Sequence, residues 1–188
     1  MRVSRLLTER LELQPFTADA IDALLRRDPA QLAQLTGAVF PAPLAPPPLM
    51  EGVLTTMRDR QRADPAQEGW WGWLVVVRAG RQVAGSLVFG GPPDADGALV
   101  VGYATYAEFA GRGYATEATR ALVVWALEQP GATRVCATIP RSNVSARGVA
   151  TKVGMRSLGR WWDPTTWDED VEEVLLYAID RAPSSSAE

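Results

Sequence analysis

Two glycines one residue apart, Gly111 and Gly113, stand between an apolar run, Leu99 to Tyr106, and a stretch from Ala115 whose apolar residues recur at helical spacing. A strand, a glycine turn and a helix start in that order make a place where an anionic phosphate can sit. Lacking a Cβ, glycine adopts positive φ and lets the backbone approach a ligand. The first N–H groups of the helix have no intrahelical partner and lie at the positive end of its dipole. Backbone amides can then hold a pyrophosphate without any lysine. A second segment, Asn143-Val144-Ser145-Ala146-Arg147-Gly148-Val149-Ala150-Thr151-Lys152-Val153-Gly154-Met155, offers a polar start, a helical stretch and a glycine that ends it.

Two other phosphate-binding patterns fit less well. A P-loop requires Gly-x-x-x-x-Gly-Lys-Ser/Thr, and no lysine follows these glycines. A dinucleotide fingerprint, Gly-x-Gly-x-x-Gly, fails at its third glycine, where Thr116 stands, and no acidic residue ends the next strand, Arg134 to Ile139, to hold a ribose.

Together the two segments resemble the GNAT acyl-CoA N-acyltransferases, whose first motif is Gln/Arg-x-x-Gly-x-Gly/Ala and whose second is an Asn-led helix ending Lys-x-Gly-Phe/Met. Leu7-Thr8-Glu9-Arg10-Leu11-Glu12-Leu13 resembles the opening strand of the subgroup containing the ribosomal-protein N-terminal (Rim-type) acetyltransferases, and Gly102-Tyr103 is typical of it. The resemblance spans residues 6 to 180. The sequence departs from the pattern at Ala110, where Gln or Arg is usual, at Ala107, where Pro is common, and at Ala146, where the subgroup has Ser and this chain has Ser145 one place earlier.

The resemblance implies acetyl-CoA as donor and an amine as acceptor. Backbone groups of Ala104, Thr105 and Tyr106 would line the pantetheine like an added strand, one N–H polarising the thioester carbonyl. Gly111, Arg112, Gly113, Tyr114 and Ala115 would hold the pyrophosphate, with Arg112 either adding charge or simply solvated. Asn143 would bond the pantetheine, cap the following helix, or both. Acyl transfer to an amine needs a neutral amine, stabilisation of an oxyanion, and a proton for the departing thiolate. Tyr106 and Ser145 are the candidate catalytic residues for that proton; Ser145 is also placed to cap the helix, and Tyr114 either donates or packs on the sheet.

No histidine occurs, which removes the side chain best suited to general-base work near neutrality. Where many relatives carry Glu before the loop, this chain has Val100 and Val101; Glu108 is near in sequence, and Glu117, in the first helical turn, is assigned to structure. From 161 to 173 there are six acids, Asp163, Asp168, Glu169, Asp170, Glu172 and Glu173, and no base. With Trp161, Trp162 and Trp167 they read either as a solvated hairpin or as an acceptor mouth, in which Trp161, Trp162, Asp163 and Trp167 contact a cationic amine.

The elements that must position these residues follow from periodicity. Leu11, Leu13 and Phe16 begin a strand; Thr17 opens a helix with Ile21, Leu24 and Leu25 on one face; a proline-rich loop, 41 to 48, leads to a helix from Leu49 to Ala63. Trp70 to Arg78 and Gln82 to Phe89 form a hairpin, Ala98 to Tyr106 a strand, and Ala115 to Glu128 a helix. Strand 134–139, helix 144–153 and strands 155–162 and 173–180 complete the order. The fold class is α/β (α+β), a GNAT fold with a mixed central sheet of about seven strands flanked by helices, in one domain over residues 1–181 with a disordered tail at 182–188.

Composition sets the outer bounds. A net charge of −3 with dispersed arginines gives no basic field for nucleic acid or an anionic membrane. The single cysteine, Cys136, lies in an apolar strand, so neither a disulfide framework nor a metal cluster is expected. Without a signal peptide or membrane span the chain reads as cytoplasmic. The expectation is an N-acetyltransferase using acetyl-CoA (CoA) on a protein N-terminus or small cationic amine, with a homodimer as the family habit. The alternative is a CoA-binding regulatory module without catalysis.

Overall fold

The computed structural model describes residues 4–161 and 173–182. The acidic stretch containing Trp162, Asp163 and Trp167, and the tail from Pro183 on, lie outside the described residues. Short strands β1 (Leu6–Leu7) and β2 (Leu11–Pro15) open the chain. Helix α1 (Ala18–Leu25) starts where the Thr17 side chain accepts from the Ala20 N–H, and it buries Ala20, Ile21, Ala23 and Leu24. Helix α2 (Pro29–Thr36) was not marked by apolar spacing; Asp28 caps it through the Gln31 N–H and Pro29 occupies its first turn. Helix α3 (Leu54–Ala63) is shorter than its expected span because residues 49–53 form turns at the end of the proline-rich segment.

Strands β3 (Gly72–Val77), β4 (Val83–Phe89) and β5 (Ala98–Thr105) follow, then α4 (Tyr114–Glu128), β6 (Arg134–Pro140), α5 (Val144–Val153), β7 (Arg156–Arg160) and β8 (Val174–Asp180). They form one eight-stranded sheet in the order β1-β2-β3-β4-β5-β6-β8-β7, with β5 and β6 the parallel pair. The count exceeds the expected seven because two residues of β1 pair with β2, Leu6 opposite Leu13 and Leu7 opposite Glu12.

Each face of the sheet has its own core, which is why β3 is buried along its whole length. Trp73, Val75, Leu11 and Leu13 face the side covered by α4 and α5; Leu74, Val76 and Val83 pack under α1 and α3 with Phe16, Met50 and Met57. On α4, Ala118, Leu122 and Ala126 turn fully inward as their spacing predicts. Trp125 fastens the helix to the sheet, its ring 5.0 Å from Trp73 and 5.1 Å from Trp70. Cys136 is a buried strand residue, and burial pushes its thiol pKa up.

The sheet comes apart at one place. The β5–β6 ladder runs from Ala98↔Arg134 to Val100↔Cys136 and stops, while β5 continues to Thr105 and β6 follows β8 to Pro140. The carboxyl halves of two neighbouring parallel strands therefore diverge into a wedge. No helix among the described residues is long and apolar enough to cross a membrane.

Candidate active site

The wall of the wedge is set by strand parity. Tyr106 N–H donates to Ala84 O at 3.0 Å and Gly90 N–H to Val100 O at 3.3 Å, and the pairing between them is regular. In an antiparallel ladder alternate residues turn their backbone groups to the same neighbour. Val100, Gly102, Ala104 and Tyr106 thus spend theirs on β4, leaving Tyr103 and Thr105 to present theirs to the wedge. Of the expected trio Ala104, Thr105 and Tyr106, only Thr105 faces the opening with its backbone, and Tyr103, which the resemblance marked without giving it a part in donor binding, joins it. Glycine is required opposite: a Cβ at Gly85 would collide with the Ala104 carbonyl.

Beyond Thr105 a short 3-10 turn (Ala107–Phe109) leads into the glycine turn. Gly111 and Gly113 have φ of 74° and 79°, a left-handed conformation open to glycine. Gly113 is the N-cap of α4 and brings no side-chain cap, unlike Thr17, Asp28 and Asn143 at α1, α2 and α5. The first N–H accepted back into the helix is that of Glu117, by Gly113 O at 3.1 Å. The N–H groups of Tyr114, Ala115 and Thr116 precede it and remain to be satisfied from outside. They border a cleft of about 350 Å³ that also takes in Thr105, Gly111, Ser145, Gly148 and Lys152.

The opposite wall is α5. The Asn143 side-chain oxygen accepts from Ala146 N–H at 3.0 Å, so Asn143 is the cap. The expectation that Ser145 caps the helix is corrected: it sits in the first turn, exposed, and lines the cleft. Tyr103 reaches across the wedge and donates from its hydroxyl to Ala146 O at 2.8 Å, fixing the distance between β5 and α5.

Tyr106 follows directly on β5, packed against both cores and half-buried. Burial first, and then the charge of Glu108, push its phenol pKa up to about 12. At neutral pH the phenol therefore carries its proton. Glu108 itself is exposed on the 3-10 turn. Tyr114 packs as an aromatic, 6.3 Å from Phe109, with the Arg10 guanidinium 4.8 Å over its ring. Arg112 lies over the Phe109 ring at 5.5 Å, and Val101 is buried.

Glu117 does not oppose a phosphate, because its carboxylate is turned away and held. It accepts from Thr8 Oγ1 at 2.6 Å, from Arg10 N–H at 2.9 Å and from Arg10 Nε at 2.7 Å. Burial alone would raise its pKa; the Thr8 and Arg10 hydrogen bonds and the Arg10 charge outweigh burial and hold it below the usual range. The same guanidinium donates to Arg112 O at 3.0 Å, so Arg10 braces the glycine turn from the β1–β2 connection. Local sequence pattern gave no sign of this, since the partners are far apart in the chain.

On the face away from α4 the proline-rich segment crosses the sheet. Ser86 Oγ donates to Pro48 O, and a Cβ at Gly102 would come within 3.2 Å of Leu49. Phe40, Leu44, Trp71 and Tyr106 each pack in part against the core on this face. The two feet of the acidic stretch sit at the open end of the wedge. Trp161 N–H donates to Val174 O, and Arg141 N–H to Glu173 O, both at 2.8 Å. Glu173 pairs with Arg141 at 2.7 Å and Arg160 at 2.8 Å, so it is not an uncompensated charge as the acid count implied. Among the described residues no group of acids, cysteine or histidine is placed to hold a metal.

Comparison with known proteins gives a family model described as an acetyltransferase (GNAT) domain, matched by residues 10–156. A relative from Bacillus subtilis, the uncharacterised N-acetyltransferase YjdG, is 26% identical over 150 residues, covering 78% of this chain and 86% of its own length. Among solved structures, the ribosomal-protein-S5-alanine acetyltransferase from Vibrio fischeri superposes with a TM-score of 0.65 at 15% identity, covering 95% of this chain and 97% of that one. The ribosomal L7/L12 α-N-protein acetyltransferase RimL in complex with coenzyme A does so with a TM-score of 0.63 at 17% identity, covering 94% and 98%.

Proposed function

The chain belongs to the acetyltransferase (GNAT) family, whose members are acetyl-CoA-dependent enzymes, and on that premise we propose that it acetylates the α-amine of a protein N-terminus or a small cationic amine. The observation that carries the reading is the uncapped start of α4 beside a wedge whose free strand edge is Tyr103 and Thr105. An extended pantetheine arm can add to that edge as a strand would, while the N–H groups of residues 114–116 receive the pyrophosphate.

The donor supplies an acyl group activated as a thioester. The protein's own groups do the rest. The free N–H of the β5 edge is aimed at the carbonyl oxygen, where charge develops as the amine nitrogen adds to carbon. The C–S bond breaks, and the departing sulfur takes a proton from the Tyr106 hydroxyl, which burial keeps protonated. The amine loses one proton to solvent before it attacks and a second as the tetrahedral adduct collapses, and solvent returns to Tyr106 the proton that it gave the sulfur. Ser145 lines the cleft at the start of α4 and is the second candidate donor.

One feature favours a cationic acceptor: the sequence from 163 to 172 carries five acids and no base, and the residues flanking it, Trp161 and Glu173, are held beside the carboxyl end of β6. The names of the solved neighbours, which include enzymes acting on ribosomal-protein N-termini, favour the α-amine over a free polyamine and the Rim-type subgroup over others. Such substrates suit a cytoplasmic enzyme. The experiment is thiol release from acetyl-CoA over N-terminal peptides and small amines. Acceptor-dependent release supports the reading. Donor binding without release to any amine replaces it with a non-catalytic CoA-binding module.

A further inference from the structure

The groove at the glycine turn does not end with the turn. It continues between α4 and α5, where Thr116 and Arg120 on one helix face Gly148 and Lys152 on the other. Two adjoining cavities share Gly113, Thr116 and Lys152: one of about 350 Å³ reaches Thr105, and one of about 390 Å³ reaches Arg10 and Arg120. Gly148 borders open space, since a Cβ there would meet nothing within 4 Å.

The charges at the far end are placed unlike those at the near end. The near end offers an anion the backbone N–H groups of residues 114–116. At the far end stands Lys152, the single lysine among nineteen basic residues. It has no ion pair among the described residues, and its backbone carbonyl accepts from Arg120 at 2.6 Å, which draws the second cation alongside. Arg10 is neutralised by Glu117, so Lys152 and Arg120 are opposed in this cavity only by Glu9. One net positive charge remains.

We infer that Lys152, with Arg120, seats the ribose 3′-phosphate of the donor, so that the protein distinguishes CoA from its 3′-dephosphorylated form. The inference rests on the donor reading above. Backbone amides at the turn answer to the pyrophosphate, which both forms carry, and are blind to the third phosphate. A phosphomonoester is largely dianionic at neutral pH and is recognised by cations. A lysine suits it as a point charge whose flexible stem tolerates an exposed, variably oriented group, while an arginine offers a planar fork.

The test is calorimetric titration of CoA and 3′-dephospho-CoA into the wild type, Lys152→Gln, Arg120→Gln and Lys152→Arg. The wild type should prefer CoA by about fivefold, the scale of a partly exposed ion pair, and the preference should shrink as salt rises through about 0.15 M. Lys152→Gln should bring the preference to within about twofold by weakening CoA alone, Arg120→Gln should act in the same direction, and Lys152→Arg should retain it. Equal binding of the two nucleotides by the wild type, or equal losses for both in Lys152→Gln, overturns this inference and leaves the donor reading standing. Failure of the wild type to bind either nucleotide removes both.

Discussion

At the scale of single residues, Tyr106 and Glu117 show how placement decides chemistry between groups that a sequence presents alike. Tyr106 keeps its proton to about pH 12 because its phenol is half-buried beside Glu108. Tyr106→Phe should therefore lower kcat by about 10²-fold, the ordinary scale of general-acid assistance, by a factor that does not vary with pH below that value. KM for acetyl-CoA should hold, because the Tyr106 backbone is committed to Ala84 in either variant. Steady-state rates across pH check this, and an unchanged kcat would move the proton donor to Ser145. Glu117 is the converse, a carboxylate fixed by Thr8 and Arg10 with its pKa held down. A group whose folded pKa is depressed stabilises the fold above its unfolded pKa of about 4.3, and loses that contribution as pH falls through the folded value. Glu117→Gln should thus lower Tm at pH 7 and narrow the gap to wild type in acid below pH 4. Arg10→Ala frees the glycine turn and should raise KM for acetyl-CoA about fivefold, the scale of about 1 kcal/mol, with less effect on kcat.

Elements were legible where a signal is local and obscure where it depends on pairing. The bounds of α4 and α5 follow from a glycine turn, an Asn cap and 3.6-residue spacing, all within a few residues of each other. Helix α2 escaped because only Leu32 is buried among its apolar residues, leaving Asp28-Pro29 at its start and Gly37 at its end as its markers. Which residues of β5 face the wedge was out of reach of the sequence, since it turns on the register that sets Gly85 opposite Thr105. A one-residue change of parity exchanges Thr105 for Ala104. The start of α4 gives a prediction of its own. With φ at 79°, Gly113→Ala should cost about 1–2 kcal/mol of stability and also weaken acetyl-CoA binding, because the turn that aims the first N–H groups relaxes. Calorimetry at a temperature well below the lowered Tm separates the two effects. Trp125→Ala acts at the other end of the same helix. It should cost about 3 kcal/mol by leaving a gap against Trp73 and Trp70 while donor affinity in the folded fraction stays within about twofold.

At the scale of the whole molecule, two cores lie on opposite faces of one sheet and the sheet opens between them. The glycine turn, the strand edge and the start of α5 meet at the opening; the proline-rich segment lies on the opposite face, and Arg141, two residues before the α5 cap, holds the acidic stretch at Glu173. Long-range contacts such as Arg10 with Glu117 and Tyr103 with Ala146 hold this arrangement, and neither is written in any local pattern. What the assembled site lacks decides its pH dependence. There is no histidine, and the carboxylates with displaced pKa among the described residues, Glu12, Glu117, Glu173 and Asp180, are all displaced downward. Hydrogen bonds, from arginines at Glu12, Glu173 and Asp180 and from Thr8 and then Arg10 at Glu117, make each of them a weaker base than an ordinary carboxylate. With Tyr106 held protonated, the amine must shed its proton to water before it attacks. Then kcat/KM should rise with pH along the free-amine fraction of the acceptor, and its inflection should move with the amine pKa when a second acceptor is used. An α-amine, with a pKa near 7.7–8.0, should reach its plateau some two to three pH units below a lysine-like amine near 10.4. Profiles for one peptide N-terminus and one alkylamine make the comparison. An inflection shared by both acceptors and lost in Glu108→Gln would instead place a general base on the turn beside Tyr106.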